Sequence, residues 1–123
     1  MAVLENLKYS QDHEWAKEED GVVVVGITDY AQSELGDLVF VNLPEEGEEV
    51  VAGEAFGDVE SVKAVSDVLS PVSGTVVAIN EELLDSPQLI NEDPYGAWVI
   101  KVDNADGLYD LMDAAGYEAF IEA

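Results

Sequence analysis

The apolar residues of this chain come in short β-branched runs, and turn residues interrupt the sequence before most of these runs reach helical length. Val22-Val23-Val24-Val25-Gly26-Ile27 reads as a buried strand, since β-branched side chains pack well on a pleated surface. Thr28 then offers an N-cap oxygen, Asp29 puts negative charge in a first helical turn, and Gly36 is placed to stop the segment. Together they predict a short helix over 29–35. Residues 37–42 form the next expected strand, closed by the turn chemistry of Pro44-Glu45-Glu46-Gly47. Further strands are expected at 49–51, 54–60, 65–69, 75–79 and 98–102, separated by Ala52-Gly53, Pro71-Val72-Ser73-Gly74 and Pro94-Tyr95-Gly96. This spacing predicts a mostly β fold, a flattened barrel or sandwich. Residues 24–28 and 76–80 echo one another, each before a helical piece, the second over 81–84. The echo suggests two strand-plus-helix halves related by a pseudo-twofold.

Toward the C-terminus the period changes. Leu108, Leu111 and Met112, then Tyr117, Phe120 and Ile121, fall at helical spacing, which predicts C-terminal helices across about residues 106–122 packed on the β core. Asp103-Asn104-Ala105-Asp106-Gly107 reads as a turn and helix start, because acids are missing at the alternating ligand positions of a calcium loop.

Composition decides whether these elements have a core and what they can meet. The 123 residues carry 28 acids against four lysines and no arginine, a net charge of −24, yet 48% of the chain is apolar. So the charge coats a folded unit, and the length suits one domain over residues 1–123. A field this negative repels phosphate backbones and anionic lipid, which argues against nucleic-acid and membrane partners. No apolar run reaches membrane-spanning length, and Met1-Ala2-Val3-Leu4-Glu5 lacks the basic start of a signal peptide, so a cytoplasmic location is expected. Absence of cysteine excludes disulfides, thiolate nucleophiles and cysteine metal sites, and no metal site is expected. Redox or thiol chemistry would have to come from an attached group. Acids spread from Glu5 to Glu122 fit adaptation to molar salt, where a Debye length of about 3 Å screens self-repulsion, better than a local patch for a basic partner.

The chemistry is concentrated in residues 54–70, where Lys63 lies between two strand-like segments, so that a hairpin would lift it to the tip. Its ammonium group is one of four in the chain. Around it stand Tyr9 and His13-Glu14-Trp15, Gly26-Ile27-Thr28-Asp29-Tyr30-Ala31-Gln32, Leu35-Gly36-Asp37-Leu38-Val39-Phe40-Val41, Ser70-Pro71-Val72-Ser73-Gly74 and Asn91-Glu92-Asp93-Pro94-Tyr95. In order and spacing these motifs resemble the H-protein family of the glycine cleavage system, the lipoyl carriers, over about residues 7–121. The resemblance implies a barrel-sandwich hybrid of the biotinyl/lipoyl-carrier type, with lipoate in amide linkage to Lys63. It also implies three partners: glycine dehydrogenase (decarboxylating), which loads an aminomethyl group, aminomethyltransferase, which removes it, and dihydrolipoyl dehydrogenase, which reoxidises the dithiol. The chain would be a carrier with no catalytic residue of its own, able to borrow from lipoate the disulfide it lacks.

By the same resemblance, Glu60 matches the acidic determinant read by the lipoate ligase or lipoyl transferase. Glu14 and Asp67 match positions facing the cleft in which the loaded arm rests. A carboxylate there could hold a cationic aminomethyl amine by a charge-assisted hydrogen bond. His13, the sole histidine, fits a structural or arm-pocket role better than a catalytic one, and Trp15 and Trp98 are expected as core or rim aromatics. Two departures stand out: Pro94-Tyr95-Gly96-Ala97-Trp98 is a residue shorter than the usual run, and Glu34 stands where some relatives carry histidine near the arm. Competing readings are a lipoate relay to other complexes, a lipoyl domain of a 2-oxoacid dehydrogenase, and a biotinyl carrier. Val62 and Ala64 stand where biotinyl hairpins flank their lysine with methionine, and no Ala/Pro-rich linker marks a tethered domain.

Overall fold

A computed structural model of the protein describes residues 3–122. Two antiparallel sheets form its body. The larger is built from β1 (Lys8–Tyr9), β2 (Glu14–Glu19), β3 (Val22–Ile27), β5 (Glu49–Val50), β8 (Ser73–Ile79) and β9 (Ile100–Asp106), in the order β1-β2-β3-β9-β8-β5. The smaller contains β4 (Leu38–Asn42), β6 (Ala55–Ser61) and β7 (Val65–Leu69), in the order β4-β6-β7. Neither closes on itself, so the architecture is the sandwich form of the expected fold. The helices α1 (Asp29–Leu35), α2 (Glu82–Asp85), α3 (Leu89–Glu92) and α4 (Ala114–Glu122) are short. None of the described helices is long and apolar enough to cross a membrane.

The valine run of β3 is apolar on every residue because both faces of its sheet are covered. Val23, Val25 and Ile27 join the main core with Val41, Val59 and Val68 of the smaller sheet. Val24 points the other way, into a second cluster with Leu7, Tyr9, Trp15, Ala114 and Tyr117. Tyr117 of α4 stacks on Tyr9 with centroids 4.5 Å apart. Trp15 sits directly opposite Gly26 in the β2–β3 register, and a Cβ at Gly26 would fall 2.4 Å from the indole ring. The glycine in the valine run is therefore the groove that admits the tryptophan, whose Nε1 donates to the carbonyl of Pro94 at 3.0 Å.

α1 spans Asp29–Leu35 as expected, with the Thr28 side chain accepting from the amide of Ala31. β3 and β8 flank β9 and run the same way, each followed by a helix, which gives the sequence echo a structural counterpart. Several boundaries differ from the expectation. β1 and β2 are additional strands, as α3 is an additional helix. The last strand begins at Ile100, not at 98, because the amide of Val99 is turned to the carbonyl of Val25 while that of Trp98 bonds Gly96. The strand continues to Asp106, so 103–106 is extended chain, and the turn falls at Gly107, with φ 102°. The Leu108, Leu111 and Met112 set does not form an α-helix. A single 3-10 turn spans Leu108–Asp110, and Met112 exchanges two main-chain hydrogen bonds with Tyr9 at 2.8 Å each.

Candidate functional site

Lys63 occupies the tip of the β6–β7 hairpin, whose last register pair is Glu60 with Val65. The buried Ser61 shapes that tip. Its hydroxyl oxygen accepts from the amides of Lys63 at 3.3 Å and Ala64 at 3.1 Å, while its own amide donates to the Ala64 carbonyl at 2.8 Å. A serine at this position satisfies the donors that a tight turn leaves unpaired, so the turn is held without a glycine. Val62 and Val65 beside the lysine are 77% and 64% exposed, as apolar an outcrop as this acidic surface offers among the described residues.

Lys63 is exposed, and among the described residues no carboxylate lies within ion-pair distance of it; the ion pair recorded there joins Lys17 to Glu19. Its stem crosses the end of α1 at Gly36, where a Cβ would sit 3.4 Å from Lys63 Cε. Gly36 has φ 84°, which an L side chain resists. Asn91 of α3 clamps this loop: its side-chain nitrogen donates to Gln32 Oε1 and the Gly36 carbonyl, and its oxygen accepts from the amide of Leu38 at 2.9 Å. The seat under the lysine is thus fixed from outside the hairpin.

Glu60 lies half-buried on the outer face of the smaller sheet, between Phe40 on β4 and Val65 on β7. Asp67 is exposed on the edge strand β7, directly opposite Asp58, which accepts from Asn42 Nδ2 at 2.7 Å. The hairpin therefore brings Lys63, Glu60 and Asp67 together on one element. Glu14 belongs to β2 and its carboxyl group approaches that element at the main chain of Leu69. It faces the far end of β7 from the lysine.

The environment of Glu14 is unusual. The residue is 3% exposed, and burial pushes its carboxyl up to about 8, with the nearby charge of Asp12 adding to the rise. Ser10 Oγ accepts from the amides of Glu14 at 3.1 Å and Asp12 at 3.3 Å, which directs its own hydrogen to Glu14 Oε1 at 2.6 Å. Ser10 and Asp12 also line a cavity of about 370 Å³ with Ser70 and Met112. His13 faces elsewhere: its Nδ1 is 2.9 Å from the Tyr117 hydroxyl, which lies 2.8 Å from Thr28 Oγ1. That chain ties α4 to the cap of α1, in keeping with a structural histidine. Glu34 is exposed on α1. No cluster suited to a metal ion occurs among the described residues.

Sequence reasoning singled out Lys63 and the three acids Glu14, Glu60 and Asp67 but missed Ser61, Ser10 and the clamp by Asn91. Ser61 was detectable as a hydroxyl two residues before the tip lysine, and Ser10 as one four residues before Glu14; Asn91 acts on residues more than fifty positions away.

The family profile described as "Glycine cleavage H-protein" matches residues 7–123. The chain is 57% identical over 125 residues to the "Probable glycine cleavage system H protein" of Pyrococcus abyssi, covering 98% of this chain and 93% of that one. It is 54% identical over 123 residues to the glycine cleavage system H protein of Lachnoclostridium phytofermentans, covering 99% and 97%. The crystal structure of a glycine cleavage system H protein from Mycobacterium marinum superposes with a TM-score of 0.92 at 43% identity, covering 98% of this chain and 100% of that chain. With a shared fold, near-complete coverage and this level of identity, the chain belongs to the glycine cleavage H-protein family.

Proposed function

We propose that this protein is the lipoyl carrier of a glycine cleavage system, with lipoate in amide linkage to Nζ of Lys63. The observation that carries the reading is an exposed lysine at a serine-closed hairpin tip, without an ion-pair partner among the described residues of a chain with 28 acids. A free, exposed ammonium group is available for acylation, and its stem already rests in a defined seat over Gly36. Lipoate, once bound, supplies reversible disulfide and thiol chemistry that a cysteine-free chain lacks.

The chain's own residues present, recognise and shelter. Glu60, on the outer face beside Val65, is the determinant read by the lipoate ligase or lipoyl transferase. Glu14, buried against Leu69, and Asp67, exposed two residues nearer the tip, line the track of the arm and hold the amine that glycine dehydrogenase (decarboxylating) leaves on it. Holding that amine slows its loss to water before aminomethyltransferase takes the carbon unit and dihydrolipoyl dehydrogenase restores the disulfide. The protein works as a carrier in the cytoplasm, and its acidic coat is an adaptation to a salt-rich interior.

Intact-mass and peptide analysis of protein from its own host tests the assignment. A lipoyl adduct on Lys63 is expected; biotin, or an unmodified lysine, overturns it. Reconstitution with the three partner enzymes should then support glycine decarboxylation, whereas transfer of lipoate to other complexes without decarboxylation would mark a relay.

A further inference from the structure

Among the chain's acids, Glu14 combines near-complete burial with a hydrogen-bonding cradle. It is 3% exposed, Ser10 donates to its Oε1 at 2.6 Å, and the main chain of Leu69 on β7 lies close to the carboxyl group. No lysine or histidine lies within ion-pair distance of it among the described residues. The groups that face it from neighbouring elements do not supply a cation either. Asp12 on the preceding loop is an acid, Tyr117 of α4 is a neutral phenol, and β7 contributes the main chain of Leu69. A bare carboxylate in such a place is costly, because attraction from a counter-ion is missing while the loss of hydration is nearly complete. The carboxyl group is therefore stable there in its neutral form.

We propose that Glu14 is a proton-exchange socket: protonated while the cleft is empty or holds an uncharged arm, it gives up that proton when the amine-loaded arm enters and pairs with it. The inference rests on the reading of the protein as an aminomethyl carrier. Two routes reach the same ion pair. An arm entering as an ammonium group displaces the Glu14 proton to solvent, and one entering as a free amine takes that proton onto its nitrogen. Both end with a carboxylate against an ammonium group, and no bond other than those to hydrogen changes. Ser10 lines the cavity of about 370 Å³ as well as holding Oε1, so the carboxyl group adjoins a polar exit for the proton. Charge is then what the cleft selects. The disulfide and dithiol forms of the arm are neutral and gain nothing from displacing the proton, so they leave for the next partner, while the amine-loaded form stays.

The test is a carboxyl-carbon NMR titration of the full-length protein labelled at glutamate, with the Glu14 resonance assigned by its loss in Glu14→Gln. It compares unlipoylated protein, protein lipoylated on Lys63 with the disulfide closed, and lipoylated protein reduced and loaded with formaldehyde and ammonia. Arm mobility is followed in parallel by relaxation. The first two forms should titrate near pH 8. In the loaded form the midpoint should fall by about two units or more, as the arm loses its fast motion. Ionised Glu14 at pH 7 in the first two forms, or an immobilised loaded arm beside a still-protonated Glu14, overturns the inference and leaves the carrier reading intact. A loaded arm that stays mobile overturns the inference together with the holding role given to Glu14, whereas an arm that cannot be attached to Lys63 or loaded overturns the carrier reading itself.

Discussion

Glu14→Gln removes an ionisable group while keeping the shape of the side chain, and the burial of that site sets the size of the effect. In the unfolded chain the carboxyl group loses its proton near pH 4.5, whereas in the fold it keeps it to about 8. Between those limits the native state binds the extra proton, so the stability contributed by the neutral group is complete below about pH 4.5 and is lost as pH rises toward 8. Each unit of difference corresponds to about 1.4 kcal/mol. The variant has no such proton, so its stability relative to the parent should climb by about 2 to 3 kcal/mol between pH 5 and pH 7. Amide contacts with Ser10 or Leu69 that are better or worse than those of the acid add a constant offset, and the slope is unaffected. The other acids cancel in the difference, apart from Asp12, which lies close enough to couple. Denaturant unfolding of both proteins at fixed high salt across pH 5 to 8 measures the slope. Parallel stability curves would show that Glu14 folds as a carboxylate, and the reasoning from burial would be wrong.

Gly26→Ala should destabilise the fold by about 3 kcal/mol in denaturant melts, because the new methyl group meets an indole whose Nε1 is tied to the Pro94 carbonyl. Pairing it with Trp15→Phe should recover part of the loss; equal losses with and without the smaller ring would refute the packing argument. Asn91→Ala strips the clamp on the Gly36 loop and leaves the amide of Leu38 unpaired, at a cost of about 2 kcal/mol, with faster hydrogen exchange at residues 36–38 as the local signature. Stability should rise steeply between dilute buffer and molar KCl, since a net charge of −24 is nearly unrelieved by ion pairs among the described residues; a flat salt profile would remove the case for salt adaptation.

The legible parts of the sequence were those whose structure is local. Thr28, Asp29 and Gly36 carry cap chemistry for α1 within a few residues, and the helix spans the expected range. The hairpin around Lys63 is likewise a matter of two strands and the turn between them. β2 was missed because Glu14-Trp15-Ala16-Lys17-Glu18-Glu19 is rich in acids and helix formers, and becomes a strand by pairing along its whole length with the valines of β3. The C-terminal spacing misled in a similar way. A single 3-10 turn already puts Leu108 and Leu111 on one side, and the main chain at Met112 is claimed by Tyr9. At the site, residue identities suggested an acid near the arm, but the burial that pushes the Glu14 carboxyl group up depends on its pairing with β3 and its approach to β7, which no local pattern records.

The closure of the hairpin by Ser61 has a consequence for everything the carrier is given to hold. Apart from its main-chain amide, Lys63 lends nothing to the hydrogen bonds that form the tip, and its ammonium group has no ion-pair partner to lose among the described residues. Acylating Nζ, oxidising or reducing what then hangs from it, and adding or removing a carbon unit would all take place beyond the last atom on which the hairpin tip depends. Scaffold and cargo are insulated from one another at the point of attachment. On the proposed reading, the protein would register a change of cargo at the other end of the tether, where the arm would meet side chains again.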